Sequence, residues 1–364
     1  MTGKDSTIAQ RPTPNAQRLD SCPKSDDTIH VALCVYDPSG MYSQHAGVVM
    51  TSIFENTHSK VTVHILHDDT LTDDNRRKFL RTAEKYSQTV EFYDVTECMK
   101  KYAGSLEALR QATGHYSIGT LYRLFLPDML DGIKKVIWLD CDVLVSLDIK
   151  ELWEIDMKGK TFAGVLDMVA MKYYDSFYRN RMDALLKGIP PDEYINAGVM
   201  VIDLERIREK VSFSDVAMKW IIDMGNLAPC TDQDAVNSIF AGDICLLDTK
   251  FNQQNISSDT QGCMLHMYSG KPWASIRGFP SERLYWKLYL RSAWGENAQP
   301  EDIIDSIIDA AEKQRKRSSP ARKPENTLRR FAKKLVYDIL PMRSVKYIII
   351  HTVHHMKRKL SQCR

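Results

Sequence analysis

Read only for its apolar and polar positions, the chain takes up a regular pattern at Ile29. Ile29–Tyr36 (IHVALCVY) is an apolar, β-rich run closed by the turn-favouring Asp37-Pro38-Ser39-Gly40. Ala46–Phe54 has the length and apolar spacing of a helix. Val61–His67 (VTVHILH) reads as a second strand, Thr72–Tyr86 as a charged helix, and Val90–Val95 (VEFYDV) as a third strand. Leu121–Met129 reads as a helix ending near Pro127. Lys135–Leu139 (KVIWL) is a buried strand that runs into Asp140-Cys141-Asp142 and then into the apolar Val143–Val145. Phe162–Leu166 and Gly198–Asp203 are further short buried strands, Ala235–Phe240 is helical, Ile244–Leu247 is a last short strand, and 281–311 turns helical. Strands alternating with helices predict an α/β fold, a mostly parallel sheet with helices on both faces. No internal repeat is visible.

The formal net charge of +2 over 364 residues conceals an asymmetry that alters this picture. From Lys313 to Arg364, 16 Lys and Arg face only Glu325 and Asp338, a balance of +14; the remainder holds 33 basic and 45 acidic residues, a balance of −12. A mildly acidic body therefore carries a strongly basic tail. The first 27 residues are polar, contain Pro12, Pro14 and Pro23, and read as a disordered leader without the apolar core of a signal peptide. The expected organisation is a leader at 1–27, a catalytic α/β domain at 28–275 with a helical continuation at 276–312, a basic linker at 313–326 and an amphipathic tail at 327–364. The eight cysteines form no C-x-x-C pair, and Cys34, Cys141 and Cys245 sit in or beside apolar runs, so they read as reduced thiols of a cytoplasmic protein.

The chemistry centres on Asp140-Cys141-Asp142 at the end of KVIWL. Residues i and i+2 of an extended chain point to one side, so both carboxylates can face one point, and ligands of open α/β sheets collect beyond the carboxyl ends of strands. Two hard oxygens there suit Mn²⁺ or Mg²⁺ with phosphate oxygens. The alternative is an exposed acidic turn, but the apolar runs on both sides make an idle pair of charges costly. Far downstream, Leu265-His266-Met267-Tyr268-Ser269-Gly270-Lys271-Pro272-Trp273 combines an imidazole, a backbone able to approach a phosphate at Gly270, and an amine at Lys271. A lone His is more often structural than a ligand. Between these lie Tyr194-Ile195-Asn196-Ala197-Gly198, and Thr231-Asp232-Gln233-Asp234, where helix capping is the competing reading of Thr231 and Asp232. Ser117–Arg123 places an Arg one turn into a helix, where a surface salt bridge is its plainest role.

Seven segments, VALCVYD, SIGTLYRLFLPDML, KVIWLDCDVLV, FAGVLDM, YINAGVMVIDL, CTDQDAVNSIF and LHMYSGKPW, together resemble glycosyltransferase family 8 in order and approximate spacing, over about Ile29 to Trp273. This family of retaining enzymes includes bacterial lipopolysaccharide galactosyl- and glucosyltransferases and glycogenin. The resemblance implies a GT-A fold and transfer of a hexose from UDP-glucose or UDP-galactose to a saccharide or lipid-linked acceptor. By it, Asp140, Asp142 and His266 would hold Mn²⁺ (or Mg²⁺), and Cys141 would lie along the donor. Asp37 would contact uracil, although Tyr36–Gly40 carries extra residues relative to the usual pattern. Arg123 would sit against the donor phosphate and sugar, while Asp167, Asn196 and Asp232 would hold sugar hydroxyls. Gly270, with Ser269 as the alternative, and Lys271 would contact the diphosphate. Gln233 would stand nearest the anomeric carbon, making Gln233 and Asp232 the candidate catalytic pair.

The tail, Thr327–Leu360, interleaves Arg and Lys with Leu328, Phe331, Leu335 and Ile339 at helical spacings. That pattern predicts an interfacial helix on anionic lipid, hence a peripheral location on the inner face of a membrane; its aliphatic richness disfavours a nucleic-acid arm. Two other functions compete. A nucleotidyltransferase or metal-dependent hydrolase also uses D-x-D but has no need of HMYSGKPW, and a degenerate nucleotide- or membrane-binding protein has no need of an intact Asp140, Asp142 and His266.

Overall fold

In the computed structural model, residues 28–114, 116–168, 191–228, 230–255, 260–268, 270–296 and 298–317 are described. The leader at 1–27 and the tail at 327–364 lie outside them. The strands are β1 (Ile29–Val35), β2 (Val61–His67), β3 (Thr89–Asp94), β4 (Lys135–Leu139), β5 (Val143–Val145), β6 (Phe162–Leu166), β7 (Ile195–Asp203), β8 (Ile244–Leu246) and β9 (Met264–His266). Seven form one sheet in the order β3-β2-β1-β4-β7-β6-β8, and β5 and β9 form a second, two-stranded sheet. Every neighbouring pair of the large sheet is parallel except those of β7, which runs antiparallel to β4 and β6. The expected mostly parallel α/β architecture is the one observed.

Alternation along the strands sorts the core into two layers. Ile29, Val31, Leu33 and Val35 point to the face covered by helices α1 (Ser43–Asn56) and α2 (Asp73–Lys85), where Val49, Met50, Ile53 and Phe79 meet them. Ala32, Leu66 and Trp138 point to the other face, against Ala217, Met218 and Ile221 of α3 (Phe213–Met224) and Ala235 of α4 (Thr231–Ile239). Strand β7 is buried along nearly its whole length, which explains why its sequence shows no alternation. A third cluster seats Tyr285, Trp286 and Leu288 of α5 (Pro280–Arg291) and Ile303 and Ile307 of α6 (Pro300–Arg317) on Val48, Leu144 and Leu265. Helix α6 extends to Arg317, into the stretch read as linker.

Three local readings differ from the sequence expectation. Ile118–Phe125 is a 3₁₀ helix and only Leu126–Met129 is α-helical. Pro127 has no N–H to donate back to Arg123, and the Arg123 carbonyl accepts instead from Leu126, one residue earlier. Val143–Val145 is a strand in its own right, paired with Met264–His266. The helix over α3 carries too little sequence contrast to be noticed, because one face lies on the sheet and Trp220 and Ile222 are also partly buried.

Chain connectivity reverses direction across the sheet between β1 and β4, the crevice in which α/β sheets receive ligands. The end of β4, the turn after β1, and the small β5–β9 sheet meet there.

Candidate active site

Beyond the carboxyl ends of β1 and β4 lies a cavity of about 840 Å³. Arg123, Asp140, Cys141, Asp142, Asp167, Asn196, Asp232, Gln233, His266 and Lys271 all line it. The β5–β9 pairing assembles its centre: Val143 stands opposite His266, and the Met267 N–H donates to the Asp142 carbonyl at 2.8 Å. Residues distant in sequence are thereby fixed side by side. His266 Nε2 lies 3.3 Å from Asp142 Oδ1 and 4.0 Å from Asp140 Oδ2, and one ligand atom from each of the three residues falls within 4.8 Å of the others.

Each of these groups is held from behind. Asp140 Oδ1 accepts from Arg123 Nη2 (2.8 Å) and Trp138 Nε1 (3.0 Å), which leaves Oδ2 facing the imidazole. Asp142 Oδ2 pairs with Lys271 Nζ at 2.9 Å. Burial alone would raise the Asp142 carboxyl, but Lys271 and His266 outweigh it and hold Asp142 well below the usual carboxylate range. Burial likewise opposes charge on His266 and Lys271, and Asp142 reverses it, so both are raised. The imidazole face rests on Gly198, where a Cβ would lie 2.2 Å from Cε1. Two carboxylate oxygens and an imidazole nitrogen converging in a buried pocket fit the donor set of a divalent cation.

Arg123 is not a surface residue. Nη1 donates to the Ala197 carbonyl at 2.7 Å, its guanidinium carbon lies 4.5 Å from the centre of the Trp138 ring, and Nε sits 3.0 Å from Asp232 Oδ2 in ion-pair rather than aligned hydrogen-bond geometry. Burial disfavours its charge, and the carboxylates of Asp140 and Asp232 more than restore it. Asp232 is raised by burial, with Arg123 and Thr120 opposing; the Thr120 hydroxyl donates to it at 2.7 Å.

A polar network floors the other end. Gln233 Oε1 accepts from the Ala197 N–H (2.9 Å), and its Nε2 is shared between Asp167 Oδ2 and the Tyr194 hydroxyl, each at 3.0 Å. Asn196 Nδ2 donates to the same Asp167 oxygen at 2.9 Å. The Tyr194 hydroxyl donates to Asp234 at 2.6 Å, and burial lifts the Asp234 carboxyl to about 6. Neither Thr231 nor Asp232 caps α4; Asp234 Oδ2 reaches back to the Cys230 N–H at 2.8 Å instead.

Two expected donor contacts fall outside the cavity wall. The Asp37 carboxylate is buried beneath the N-terminus of α1, where Oδ1 accepts from the Tyr42 N–H (2.7 Å) and Oδ2 from the Ser43 N–H (2.8 Å) and hydroxyl (2.6 Å). Unsatisfied amides at a helix start draw a carboxylate strongly, and here they claim both its oxygens. Its neighbours Tyr36, Pro38 and Ser39 line the cavity in its place. Gly270 is buried, with its N–H donating to the Met267 carbonyl at 3.2 Å; Ser269 lies outside the described residues. Sequence reasoning missed Cys34, Tyr42, Tyr116 and Tyr268 as lining residues and Asn252 behind His266, whose Oδ1 lies 3.1 Å from Nδ1. Of the four, Tyr116 stands beside Ser117 and Tyr268 lies within Leu265–Trp273, both segments already singled out.

Residues 33–276 match the family model "Glycosyl transferase family 8". Over 301 residues the chain is 25% identical to "General stress protein A" of Bacillus subtilis, covering 76% of this chain and 98% of that protein. It is 25% identical to the "Lipopolysaccharide 1,2-glucosyltransferase" of Escherichia coli over 292 residues, 75% of this chain and 81% of that one. Among solved structures, the galactosyltransferase LgtC in complex with donor and acceptor sugar analogues superposes with a TM-score of 0.61 at 21% identity, over 76% of this chain and 100% of that one, a likeness of fold.

Proposed function

Because the chain belongs to glycosyltransferase family 8 and is a glycosyltransferase of GT-A fold, we propose that it transfers glucose or galactose from a UDP-sugar, with retention, to a saccharide or lipid-linked acceptor. The observation that carries this reading is the convergence of Asp140, Asp142, His266 and Lys271 at one wall of a cavity whose other wall is the Asp167–Asn196–Gln233 network. Asp140, Asp142 and His266 would hold the cation, Mn²⁺ by preference, which when bound supplies positive charge to the diphosphate leaving group.

The protein's own side chains do the remaining work. Lys271 adds a fixed positive charge beside Asp142, so it can turn to the diphosphate as negative charge develops there. Arg123, held by two carboxylates, keeps Asp140 and Asp232 oriented toward the donor. Asp167 and Asn196 offer polar atoms to sugar hydroxyls. Gln233 has its nitrogen and one side of its oxygen engaged, so it suits a rigid wall of the sugar site better than a nucleophile, which favours attack by the acceptor hydroxyl on the face the diphosphate leaves. With Asp37 turned to α1, Tyr36, Pro38 and Ser39 are the nearer candidates for the base.

A metal-dependent screen for UDP release from UDP-glucose, UDP-galactose and their N-acetylated forms tests the reading. UDP release with glucose or galactose donors, abolished in Asp142→Asn, is the expected result; release that persists in Asp142→Asn would remove the cation assignment. For the basic segment we propose association with anionic lipid on the cytoplasmic face, supported by the +14 balance of residues 313–364.

A further inference from the structure

Behind the cavity, the side-chain amides form one chain of hydrogen bonds whose direction follows from a single backbone donor. Asn196 Oδ1 accepts from the Gly198 N–H at 3.0 Å, a donor that permits no other assignment, and this settles which end of the Asn196 amide is oxygen. Its Nδ2 is then left to donate to Asp167. Asn252 approaches the same Asn196 Oδ1 at 2.9 Å and must present Nδ2 there, which turns its Oδ1 toward His266 Nδ1 at 3.1 Å. An amide oxygen only accepts, so Nδ1 carries the proton. A neutral imidazole protonated on Nδ1 offers its Nε2 lone pair toward Asp140 and Asp142.

We propose that Asn252 is a positioning residue of the cation centre. Its oxygen fixes His266 in the Nδ1–H tautomer that leaves Nε2 free to ligate, and its nitrogen ties that centre to the Asn196–Asp167 end of the cavity. The inference rests on the reading of Asp140, Asp142 and His266 as cation ligands. Asn252 is buried and does not line the cavity. The backbone beside it is held independently of its side chain: the Gln253 N–H donates to the Met264 carbonyl at 2.7 Å, and the His266 N–H to the Gln253 carbonyl at 3.0 Å. The amide's contribution can therefore be removed while the strand that carries His266 stays in register.

Two variants separate its two bonds. Asn252→Leu removes both, and Mn²⁺ affinity, read by electron paramagnetic resonance of the free ion, should fall about 10- to 100-fold, the usual effect of losing a ligand's hydrogen-bond partner. Asn252→Asp keeps an acceptor for Nδ1–H but sets oxygen against Asn196 Oδ1. Mn²⁺ affinity should then stay within about threefold of wild type or tighten, because a carboxylate partner raises ligand basicity, while turnover of the UDP-sugar falls. A folded Asn252→Leu protein with native Mn²⁺ affinity overturns the proposal, as does equal loss in both variants. Should Asn252→Leu not fold, ¹⁵N-histidine NMR of the wild-type protein with Mg²⁺ and UDP decides: a proton on Nδ1 supports the proposal and one on Nε2 refutes it. Wild-type protein that binds no Mn²⁺ would instead overturn the cation reading, and the tautomer of His266 in the metal-free protein, read at a pH high enough to leave the imidazole neutral against the pull of Asp142, would still report on Asn252.

Discussion

Gly198→Ala adds one methyl group against the face of His266, and the structure prescribes what must give way. The new Cβ would lie 2.2 Å from Cε1, 2.7 Å from Nδ1 and 2.9 Å from Nε2. The backbone at Gly198 cannot retreat easily, because its carbonyl accepts from the Asp140 N–H at 2.9 Å and the adjacent Val199 is in register with Leu139. The imidazole must therefore move, and reaching ordinary contact at about 3.4 Å takes a shift of about 1.2 Å. Ligand distances tolerate only about 0.2 Å, so Nε2 leaves the cation centre and the bond to Asn252 is strained as well. Mn²⁺ affinity should fall at least about tenfold, with about 1–3 kcal/mol of stability lost to overpacking. Calorimetric titration with Mn²⁺ and denaturant unfolding measure the two separately. Adding His266→Ala to Gly198→Ala should restore stability relative to Gly198→Ala alone without restoring Mn²⁺ binding, because the clash is gone and the ligand with it. A folded Gly198→Ala protein with native Mn²⁺ affinity would refute the assignment of His266 as a ligand.

Lys271→Ala should lower kcat more than it raises KM, since its charge is needed most as the diphosphate leaves; a change in KM alone would make it a simple binding contact. Arg123→Ala should destabilise the fold by roughly 3–5 kcal/mol in denaturant unfolding, because Asp140 and Asp232 lose their shared counter-charge; a loss under about 1 kcal/mol would show the pair to be solvated. Asp234, lifted by burial to about 6, binds its proton more tightly folded than unfolded, so its contribution favours folding at low pH and is lost as pH rises through about 6. Wild-type stability relative to Asp234→Asn should accordingly decline between about pH 4 and 6, at up to roughly 1.4 kcal/mol per unit, and parallel unfolding curves would contradict this. Truncation before Thr327 should abolish co-sedimentation with anionic vesicles while leaving UDP-sugar hydrolysis intact, and equal vesicle binding by both proteins would end the membrane reading.

The regular elements were legible wherever the local pattern and the tertiary environment agree. Val61–His67, Lys135–Leu139 and Phe162–Leu166 appear at the residues expected, because an apolar run of strand length between turn signals has few other stable outcomes. Met264–His266 did not stand out as a strand. Three residues have no period to read, and their pairing with Val143–Val145 depends on a partner far away in the chain. The type of site was legible too, since Asp140 and Asp142 share one side of an extended chain whatever surrounds them.

Which side chains are free to act was decided only by the fold. Asp37 looks like an available acid in the sequence, yet the start of α1 lies above it and its amides take both oxygens. The residues around Arg123 allow a surface salt bridge as its role, yet the packing of Trp138 and the start of β7 encloses it between two carboxylates. Asn252 carries no local mark at all, and its significance comes from the direction of a hydrogen-bond chain that begins at the backbone of Gly198. The physical reason is common to all three. Residue type and near-neighbour spacing determine strands, helices and which groups can do chemistry, whereas burial, counter-charge and hydrogen-bond direction are set by neighbours that come together only when the sheet closes.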